Sequence, residues 1–245
     1  MNEDMKKGIL MMMVACMAMS VMAKELPKQG FGVQLGFAQP IVRTNAPESP
    51  GTLVNNAKLN GLKVGVVYDA SYIAGFGSMI GFNYTFGNNK TKWHNQNLTF
   101  SDRNLYTYHQ VELFVDWQYK FEVAKETYII LYTGPTLQLG ISYKDRYELY
   151  NRALREKVLD QCTTVEHFKA DEQDKLFRRL NITWGVGLGF QYKRYFLRGG
   201  YDFGLVNPFK NKYFVPQAGA TTEVRTDGRI DQWNIRAGVY LWYPD

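Results

Sequence analysis

Ionisable side chains recur at alternate positions of several apolar stretches, and they are the residues in this chain that could do chemistry. The seven are Lys63, Asp69, Glu112, Asp116, Arg198, Asp202 and Arg236. Carboxylates and cations that share a site away from water either exchange protons with a substrate or neutralise one another. A buried charge without a partner is costly, so we interpret these residues as a structural network of ion pairs.

The chain has three histidines, and none of them indicates a catalytic centre. His94 and His167 lie in predicted loops, and His109 lies on the apolar face of a predicted strand. Covalent catalysis needs a nucleophile, a base and a carboxylate that converge, which isolated histidines do not establish. Metal-ligand spacings, phosphate-binding glycine loops and nucleotide fingerprints are absent from the sequence. We therefore expect no enzyme activity, no cofactor and no metal.

An apolar run near the N-terminus has the features of a secretory signal. Residues 9–23 carry no charged side chain, and Lys6 and Lys7 precede them. The run is too short for a spanning helix and ends in small residues, so we predict that residues 1–23 are removed by cleavage near Ala23. The segment that ends at Cys16 loosely resembles a lipoprotein box, which would make Cys16 a lipidated N-terminus. Because the apolar run continues past Cys16, cleavage near Ala23 is the expected outcome.

Alternation of apolar and polar side chains predicts eight strands in residues 24–245, which we interpret as one all-β domain. The predicted strands are Phe31 to Ala38, Leu62 to Tyr72, Phe76 to Phe86, Leu105 to Phe121, Tyr128 to Tyr143, Leu180 to Tyr192, Tyr195 to Leu205 and Asp231 to Tyr243. Beyond Lys24, no apolar run approaches the ~18 residues that a transmembrane helix needs. If the protein crosses a membrane, it does so with strands.

The links between these strands alternate in length. Short links lie near residues 73–75, 122–127 and 193–194, and long links lie near 39–61, 87–104, 144–179 and 206–230. A transmembrane β-barrel has short periplasmic turns and longer external loops. An eight-stranded barrel with both termini in the periplasm would have its links in this order.

The last predicted strand contains a spacing that resembles a sorting signal. Arg236, Gly238, Leu241 and Tyr243 resemble the C-terminal assembly signal of bacterial outer-membrane β-barrels. In that family the aromatic residue is usually the last one, whereas Pro244 and Asp245 follow it here. The resemblance implies recognition by the barrel assembly machinery.

Residues 30–243 as a whole resemble the outer-membrane barrel families that include the OmpA membrane domain, OmpX and the PorT-like barrels of Bacteroidetes. The resemblance implies an eight-stranded antiparallel up-and-down barrel in the outer membrane of a Gram-negative bacterium. It also implies a structural, surface-contact or secretion-accessory role.

Aromatic residues bracket the short links and are expected to form a girdle at the periplasmic membrane interface. They are Tyr72, Phe76, Tyr119, Phe121, Tyr128, Tyr192, Tyr195 and Trp242. The alternative is ordinary β-propensity of aromatic residues at hairpin ends.

In a barrel of this kind the polar face of each strand points inward, so the seven ionisable residues would line the lumen. Counting from the strand ends predicts two layers. Glu112, Asp202 and Arg236 would lie nearer the outside, and Asp69, Asp116 and Arg198 nearer the periplasm. Eight strands enclose a space that side chains can fill, so we expect a plugged lumen and no pore.

The long link Lys144 to Arg179 is rich in charge and contains Cys162, the only cysteine after the predicted signal. A single cysteine excludes an internal disulfide and provides no thiol metal site. Apolar residues at helical spacing predict an amphipathic helix in part of this link; they are Tyr147, Tyr150, Leu154 and Val158. The link is either a solvated loop or a surface that binds a protein or glycan partner.

The net charge of +6 favours anionic partners. Export makes nucleic acid an unlikely partner, whereas lipopolysaccharide carries phosphate groups. Two alternatives to a non-catalytic membrane barrel remain at this point. One is a soluble exported carrier of a hydrophobic ligand, of the lipocalin type, with its apolar face inside. The other is a lipid-modifying outer-membrane enzyme.

Overall fold

Eight long antiparallel strands form a closed ring in a computed structural model of the chain. The structure describes residues 29–44, 57–73, 75–90, 92–95, 99–158, 163–166, 168, 178–208, 213–217, 220–224 and 227–243. The strands of the ring are β1 (Gln29–Thr44), β2 (Gly61–Ile73), β3 (Phe76–Lys90), β4 (Phe100–Ala124), β5 (Thr127–Asn151), β6 (Leu180–Tyr192), β7 (Tyr195–Gly204) and β8 (Gly228–Trp242). Each strand pairs with the next, and β8 pairs with β1. The predicted fold, an all-β eight-stranded up-and-down barrel, is confirmed.

Short strands extend the sheet at one end of this barrel. Ala57–Lys58 pairs with β1, and His94–Asn95 pairs with β4. Glu156–Lys157 and Thr163–Glu166 both pair with β5. Tyr213–Gln217 and Ala220–Val224 form a separate hairpin. Among the described segments, no helix is long and apolar enough to span a membrane.

The outer face of the barrel is apolar and the inner face is polar. The exposed apolar side chains include Phe31, Val33, Leu35, Phe37, Leu62, Val64, Val66, Ile80, Phe82, Leu113, Leu131, Leu137, Val186, Leu188, Phe190, Leu197, Phe203, Trp233 and Ile235. The buried residues that alternate with them are largely polar, as Gln34, Asn83, Thr85 and Thr183 illustrate. A soluble carrier would need the opposite arrangement, so the lipocalin-type alternative is wrong.

The strands β4 and β5 extend well beyond their predicted ends. Residues 100–107 pair with residues 144–151 in continuous register, which makes each of these strands 25 residues long. The prediction of a helix in this region is wrong, because Tyr147 and Tyr150 lie within β5. The chain then turns at residues 152–155, where the Asn151 side chain accepts hydrogen bonds from the backbone N–H groups of Ala153 and Leu154. The backbone pairing with β4 therefore determines the conformation of this segment, rather than the helical spacing of its apolar residues.

A β-bulge near the end of β8 changes which side chains face outward. Gly32 pairs with Tyr240 and Phe31 pairs with Trp242, so Leu241 is the extra residue. As a result, Trp242 lies on the exposed face with Leu241, whereas Tyr243 is partly buried and stacks on the inward-facing ring of Tyr240, with ring centroids 4.9 Å apart. The apolar side chains Trp233, Ile235, Ala237, Val239, Leu241 and Tyr243 alternate along this strand, which predicts that all of them face outward. That prediction is wrong at Tyr243.

Candidate functional site

The seven ionisable residues singled out in the sequence all lie inside the barrel. Each is at most 7% exposed. They do not form the predicted two layers, because the register of β7 and β8 places Arg198 directly opposite Arg236. The structure instead has three layers, one near each end of the lumen and one between them.

The layer nearest the long links is centred on Glu112. Lys63 approaches it with its Nζ 2.6 Å from Glu112 Oε2, and Gln232 donates from Nε2 to Oε1 at 3.1 Å. Asp202 lies beside Gln232 and accepts a hydrogen bond from Asn234 Nδ2 at 2.9 Å. This layer therefore joins β2, β4, β7 and β8 through side chains.

In the middle layer, one carboxylate lies between two guanidiniums. Asp116 Oδ2 is 3.2 Å from Arg198 Nη2 and 3.4 Å from Arg236 Nη2. Aromatic rings cover the cations, since Arg198 Cζ lies 4.0 Å from the centroid of Tyr132 and Arg236 Cζ lies 4.8 Å from that of Phe114. Cation–π contacts of this kind stabilise a guanidinium where water is excluded.

The third layer, near the short links, is centred on Asp69. Lys120 Nζ lies 2.7 Å from Asp69 Oδ2, Gln118 donates to Oδ1 at 2.6 Å, and the Tyr240 hydroxyl donates to Oδ2. Lys120 also lies 5.7 Å from the ring centroid of Tyr243. The sequence analysis did not identify Lys120 and Tyr240 as members of the lumen network. Extending the polar face of β4 from Asp116 by four residues would have found Lys120.

The lumen is balanced in charge across the part of the chain that the structure describes. Its carboxylates are Asp69, Glu112, Asp116 and Asp202, and its cations are Lys63, Lys120, Arg198 and Arg236. Three of these carboxylates form ion pairs with the four cations. Asp202 accepts hydrogen bonds from the Gln232 and Asn234 amides, so each buried charge has a polar partner. The arrangement closes the space with ion pairs and amides.

An apolar cluster lies over this polar column at the end with the long links. Its buried members are Val42, Leu59, Tyr106, Tyr108 and Tyr143. Beside them is a cavity of about 70 Å³ that Gln110, Gln138 and Ile230 also line. A buried water needs on the order of 10 to 15 Å³ of such space, so the cavity has room for a few waters.

Comparison with known proteins agrees with this geometry. Residues 28–210 match the model of a family described as "Outer membrane protein beta-barrel domain". The chain belongs to this family. Membership in this family indicates localisation to the outer membrane.

Several solved outer-membrane barrels are similar to this chain. Ail of Yersinia pestis has a TM-score of 0.36 and 10% identity, with coverage of 87% of this chain and 99% of that one. Neisserial surface protein A has a TM-score of 0.34 and 10% identity, covering 86% and 97%. Outer membrane protein W of E. coli has a TM-score of 0.35 and 14% identity, covering 89% and 100%. No curated protein matches the sequence.

The predicted girdle residues of this outer-membrane barrel occupy different faces. Tyr119, Phe121, Tyr192, Tyr195 and Trp242 are exposed on the outer face, and Phe76 pairs with Tyr119 beside them. Tyr128 was predicted to be among them, which is wrong. It shares the inward parity of Ile130 and pairs with the fully buried Gln191. The Tyr72 side chain lies outside the described part of the structure.

The residues of the predicted assembly signal also divide between the two faces of the outer-membrane barrel. Arg236 points into the lumen and Leu241 is exposed. Tyr243 turns inward after the bulge. Gly238 lies under the ring of Phe196, since a Cβ there would be 2.2 Å from Phe196 Cζ. The glycine thus has a packing role as well as its place in the sequence signal.

Of the three histidines, His94 and His109 lie in the described residues. The Tyr84 hydroxyl and His109 Nδ1 are 2.5 Å apart on the outer face, where the Phe86 ring also contacts His109. His94 is largely exposed, with Nδ1 3.5 Å from Asp102. Within the described residues, neither histidine contacts both a hydroxyl and a carboxylate, and no group of three or more potential ligands could hold a metal. His167 and Cys162 lie outside the described residues.

Among the described residues, the ribbon formed by residues 100–107 and 144–151 is the largest feature beyond the apolar belt of this outer-membrane protein. Eight residue pairs at ~3.3 Å per residue extend it by roughly 25 Å. At its centre, Glu148 Oε2 lies 2.7 Å from Arg103 Nη2, and Glu148 Oε1 lies 2.8 Å from Lys157 Nζ and 3.5 Å from Arg146 Nε. Trp93 stacks under Arg103, with 4.3 Å between the guanidinium carbon and the ring centroid.

Two carboxylates of this ribbon titrate differently. Burial raises the pKa of Glu148, but hydrogen bonds from Lys157 and Arg103 outweigh that effect and hold its pKa below the usual value. Asp145 is on the inward face beside Tyr106, and burial raises its pKa to about 6. Because the acids are buried and the cations around Glu148 remain partly exposed, the ribbon presents positive charge to solvent.

Proposed function

We propose that this protein is a non-catalytic integral outer-membrane barrel that makes contacts at the cell surface through the ribbon of β4 and β5. The observation that carries the proposal is the ribbon itself. A barrel that only spanned the membrane would not need strands that continue for eight residue pairs beyond the apolar belt.

The plugged lumen supports a contact role over a transport role. Three ion-paired carboxylates and the amide-bonded Asp202 fill the interior, and the apolar cluster covers them at the end from which the ribbon extends. Eight strands leave little interior beyond their own side chains.

The surface of the ribbon favours an anionic partner. Arg146 and Lys157 have side chains 48% and 41% exposed, whereas the Glu148 side chain between them is 2% exposed. At the exposed turn, Arg152 and Arg155 outnumber the exposed Glu156, so the turn is also positive. We therefore propose that the contact region predicted for Lys144 to Arg179 consists, in its described part, of this cationic ribbon and turn.

The proposal also covers the topology and the biogenesis of the protein. Residues 1–23 act as a signal peptide that is cleaved near Ala23, and the ribbon is external while the short links are periplasmic. Arg236, Gly238, Leu241 and Tyr243 are read by the barrel assembly machinery. Lipid and lipopolysaccharide surround the apolar belt, and the exposed aromatic residues near the short links form the periplasmic girdle.

Cysteine labelling on intact cells tests the orientation. In a Cys162→Ser background, Ala153→Cys places a thiol at the tip of the ribbon and Lys125→Cys places one in a short link. A membrane-impermeant maleimide is expected to label Ala153→Cys on intact cells, and Lys125→Cys only after the outer membrane is permeabilised. The reverse pattern would show that the ribbon faces the periplasm and would overturn the proposed contact role.

A further inference from the structure

A cluster of charged residues lies on the outer face of the barrel, away from the lumen and from the ribbon. It forms where β8, β1 and β7 approach the end with the long links. Asp231 Oδ2 lies 2.7 Å from Arg43 Nε and 3.3 Å from Arg229 Nε. The same oxygen accepts a hydrogen bond from the Tyr201 hydroxyl at 2.9 Å, and Oδ1 accepts one from the Gly204 N–H at 3.0 Å.

The burial of Asp231 gives this cluster a fixed geometry. Its side chain is fully buried, although it is on the membrane-facing side of the strand that carries Trp233 and Ile235. Its oxygens accept hydrogen bonds from Arg43, Tyr201 and Gly204 and form an ion pair with Arg229, and these contacts fix its orientation. The two arginines that it holds remain accessible, with side chains 45% and 52% exposed.

Both guanidiniums have further N–H donors on their outward-facing edges. Each uses its Nε on Asp231, and Arg43 additionally donates from Nη2 to the Tyr201 hydroxyl at 3.4 Å. Neither makes another hydrogen bond to the described residues. A guanidinium has five N–H donors in a planar fork that matches phosphate oxygens. Two guanidiniums that share one carboxylate oxygen lie side by side and keep a net charge of one.

The position of the cluster matches the level of lipid headgroups. Trp233 follows Asp231 on the same face of β8, and Tyr201 contacts the Trp233 ring edge-on with centroids 4.7 Å apart. Next along this face is the exposed, apolar Ile235. Aromatic residues with polar tips mark membrane interfaces, so the arginines lie just beyond the edge of the apolar belt.

We propose that Arg43 and Arg229, oriented by Asp231, bind a phosphate group of the glycolipid in the outer leaflet. The proposal rests on the orientation given under Proposed function, in which this end of the barrel is external. The apolar belt directly beneath the cluster favours a phosphate that is attached to acyl chains over a free phosphate ion.

Native mass spectrometry of the refolded protein in detergent tests the site with bisphosphorylated lipid A. The double variant Arg43→Gln/Arg229→Gln is expected to reduce the lipid-bound fraction at least fivefold. The control Lys125→Gln/Arg194→Gln removes the same charge at the opposite end and is expected to leave binding unchanged. Equal losses in both variants would show general charge attraction and would overturn the proposal.

The source of the phosphate is distinguished in the same experiment. Lipid A without its phosphates is expected to bind the wild type at least fivefold more weakly, and inorganic phosphate at millimolar concentration is expected not to displace lipid A. Displacement by inorganic phosphate would indicate a free-anion site and would contradict the proposal.

The variant Asp231→Asn separates an organised site from simple electrostatics. It makes the protein one charge more positive, so non-specific attraction predicts tighter binding. Because the amide cannot hold both guanidiniums, we expect binding at least threefold weaker than in the wild type. Tighter binding would overturn the proposal, and heat-modifiable migration on a gel verifies that each variant is folded. Binding in detergent does not depend on orientation in cells, so failure of this test is distinct from failure of the labelling test.

Discussion

At the scale of single residues, Asp116 is the counter-ion on which the middle of the lumen depends. It is the carboxylate that contacts both Arg198 and Arg236, which are at most 5% exposed. The sequence identified all three residues from their alternation with apolar neighbours. It did not identify their grouping, because the relative register of strands depends on turns and bulges that alternation does not specify.

We predict that Asp116→Ala is more destabilising than Arg236→Ala. The first change leaves two buried guanidiniums without their counter-ion, and removal of one partner from a buried pair typically costs about 3 to 5 kcal/mol. The second leaves Asp116 paired with Arg198, so the loss should be smaller. Unfolding of the refolded variants in denaturant, followed by tryptophan fluorescence, measures both values. Equal losses would contradict the assignment of Asp116 as the shared counter-ion.

Asp145 predicts a pH dependence in the ribbon. Its pKa is raised from 3.8 to about 6, so the folded ribbon binds the proton more tightly than the unfolded one does. The stabilisation is fully present below about pH 4 and is lost as the pH rises through about 6, at ~1.4 kcal/mol per pKa unit. The variant Asp145→Asn stays neutral at every pH. Its ribbon amides should therefore be better protected from hydrogen exchange than those of the wild type at pH 8, and about equally protected at pH 4.

Hydrogen exchange of residues 100–107 and 144–151 measures this effect. The ratio between variant and wild type at each pH removes the intrinsic pH dependence of exchange. A ratio that does not change between pH 4 and pH 8 would show that Asp145 does not titrate in this range.

At the scale of elements, strand positions were predictable and strand ends were not. The bounds of β6 agree with the predicted Leu180 to Tyr192, because apolar and glycine residues alternate there without interruption. The ends of β4 and β5 were missed because their outer residues are charged and aromatic on both faces once the strands leave the membrane. The bulge at Leu241 was also not predicted, because the alternation of apolar residues that precedes it is regular.

We predict that Gly238→Ala destabilises β8 by about 1 to 3 kcal/mol, as overpacking typically does. A Cβ at this position would overlap the Phe196 ring. The matched control is Gly199→Ala on β7, where the nearest atom to a new Cβ is the Asn234 carbonyl oxygen at 3.9 Å. Denaturant midpoints of the two variants should differ clearly, and Phe196→Leu should partly rescue Gly238→Ala. The same loss in both variants would indicate a general intolerance of side chains.

At the scale of the whole molecule, the closed ring and the balanced lumen act together. The sequence predicted the strand number and the difference in link length from local patterns, and the inward facing of the polar side chains followed from the resemblance to outer-membrane barrels. The aromatic lining of the middle layer, formed by Tyr132 and Phe114, was not predicted as part of the ion network. Such contacts join distant strands, and only the closed ring brings them together.

A lumen that is filled by side chains predicts that the protein does not conduct ions. In planar bilayers the refolded protein should show no steady conductance, because ion pairs and amides occupy the interior at three levels. A variant with both Arg198→Ala and Arg236→Ala, if it remains folded, tests whether removing the middle layer alone opens a leak. Sizeable steady conductance of the wild type would contradict the plugged lumen.

The final strand contributes at least one side chain to each level of the lumen. Gln232 contacts Glu112, Arg236 contacts Asp116, and Tyr240 contacts Asp69. A chain that lost β8 through premature termination would leave all three carboxylates short of a partner and would also leave β1 and β7 without their neighbour. A truncated product would therefore carry unpaired charges at all three levels of the lumen and two open strand edges, so the barrel is complete only when its last strand is in place.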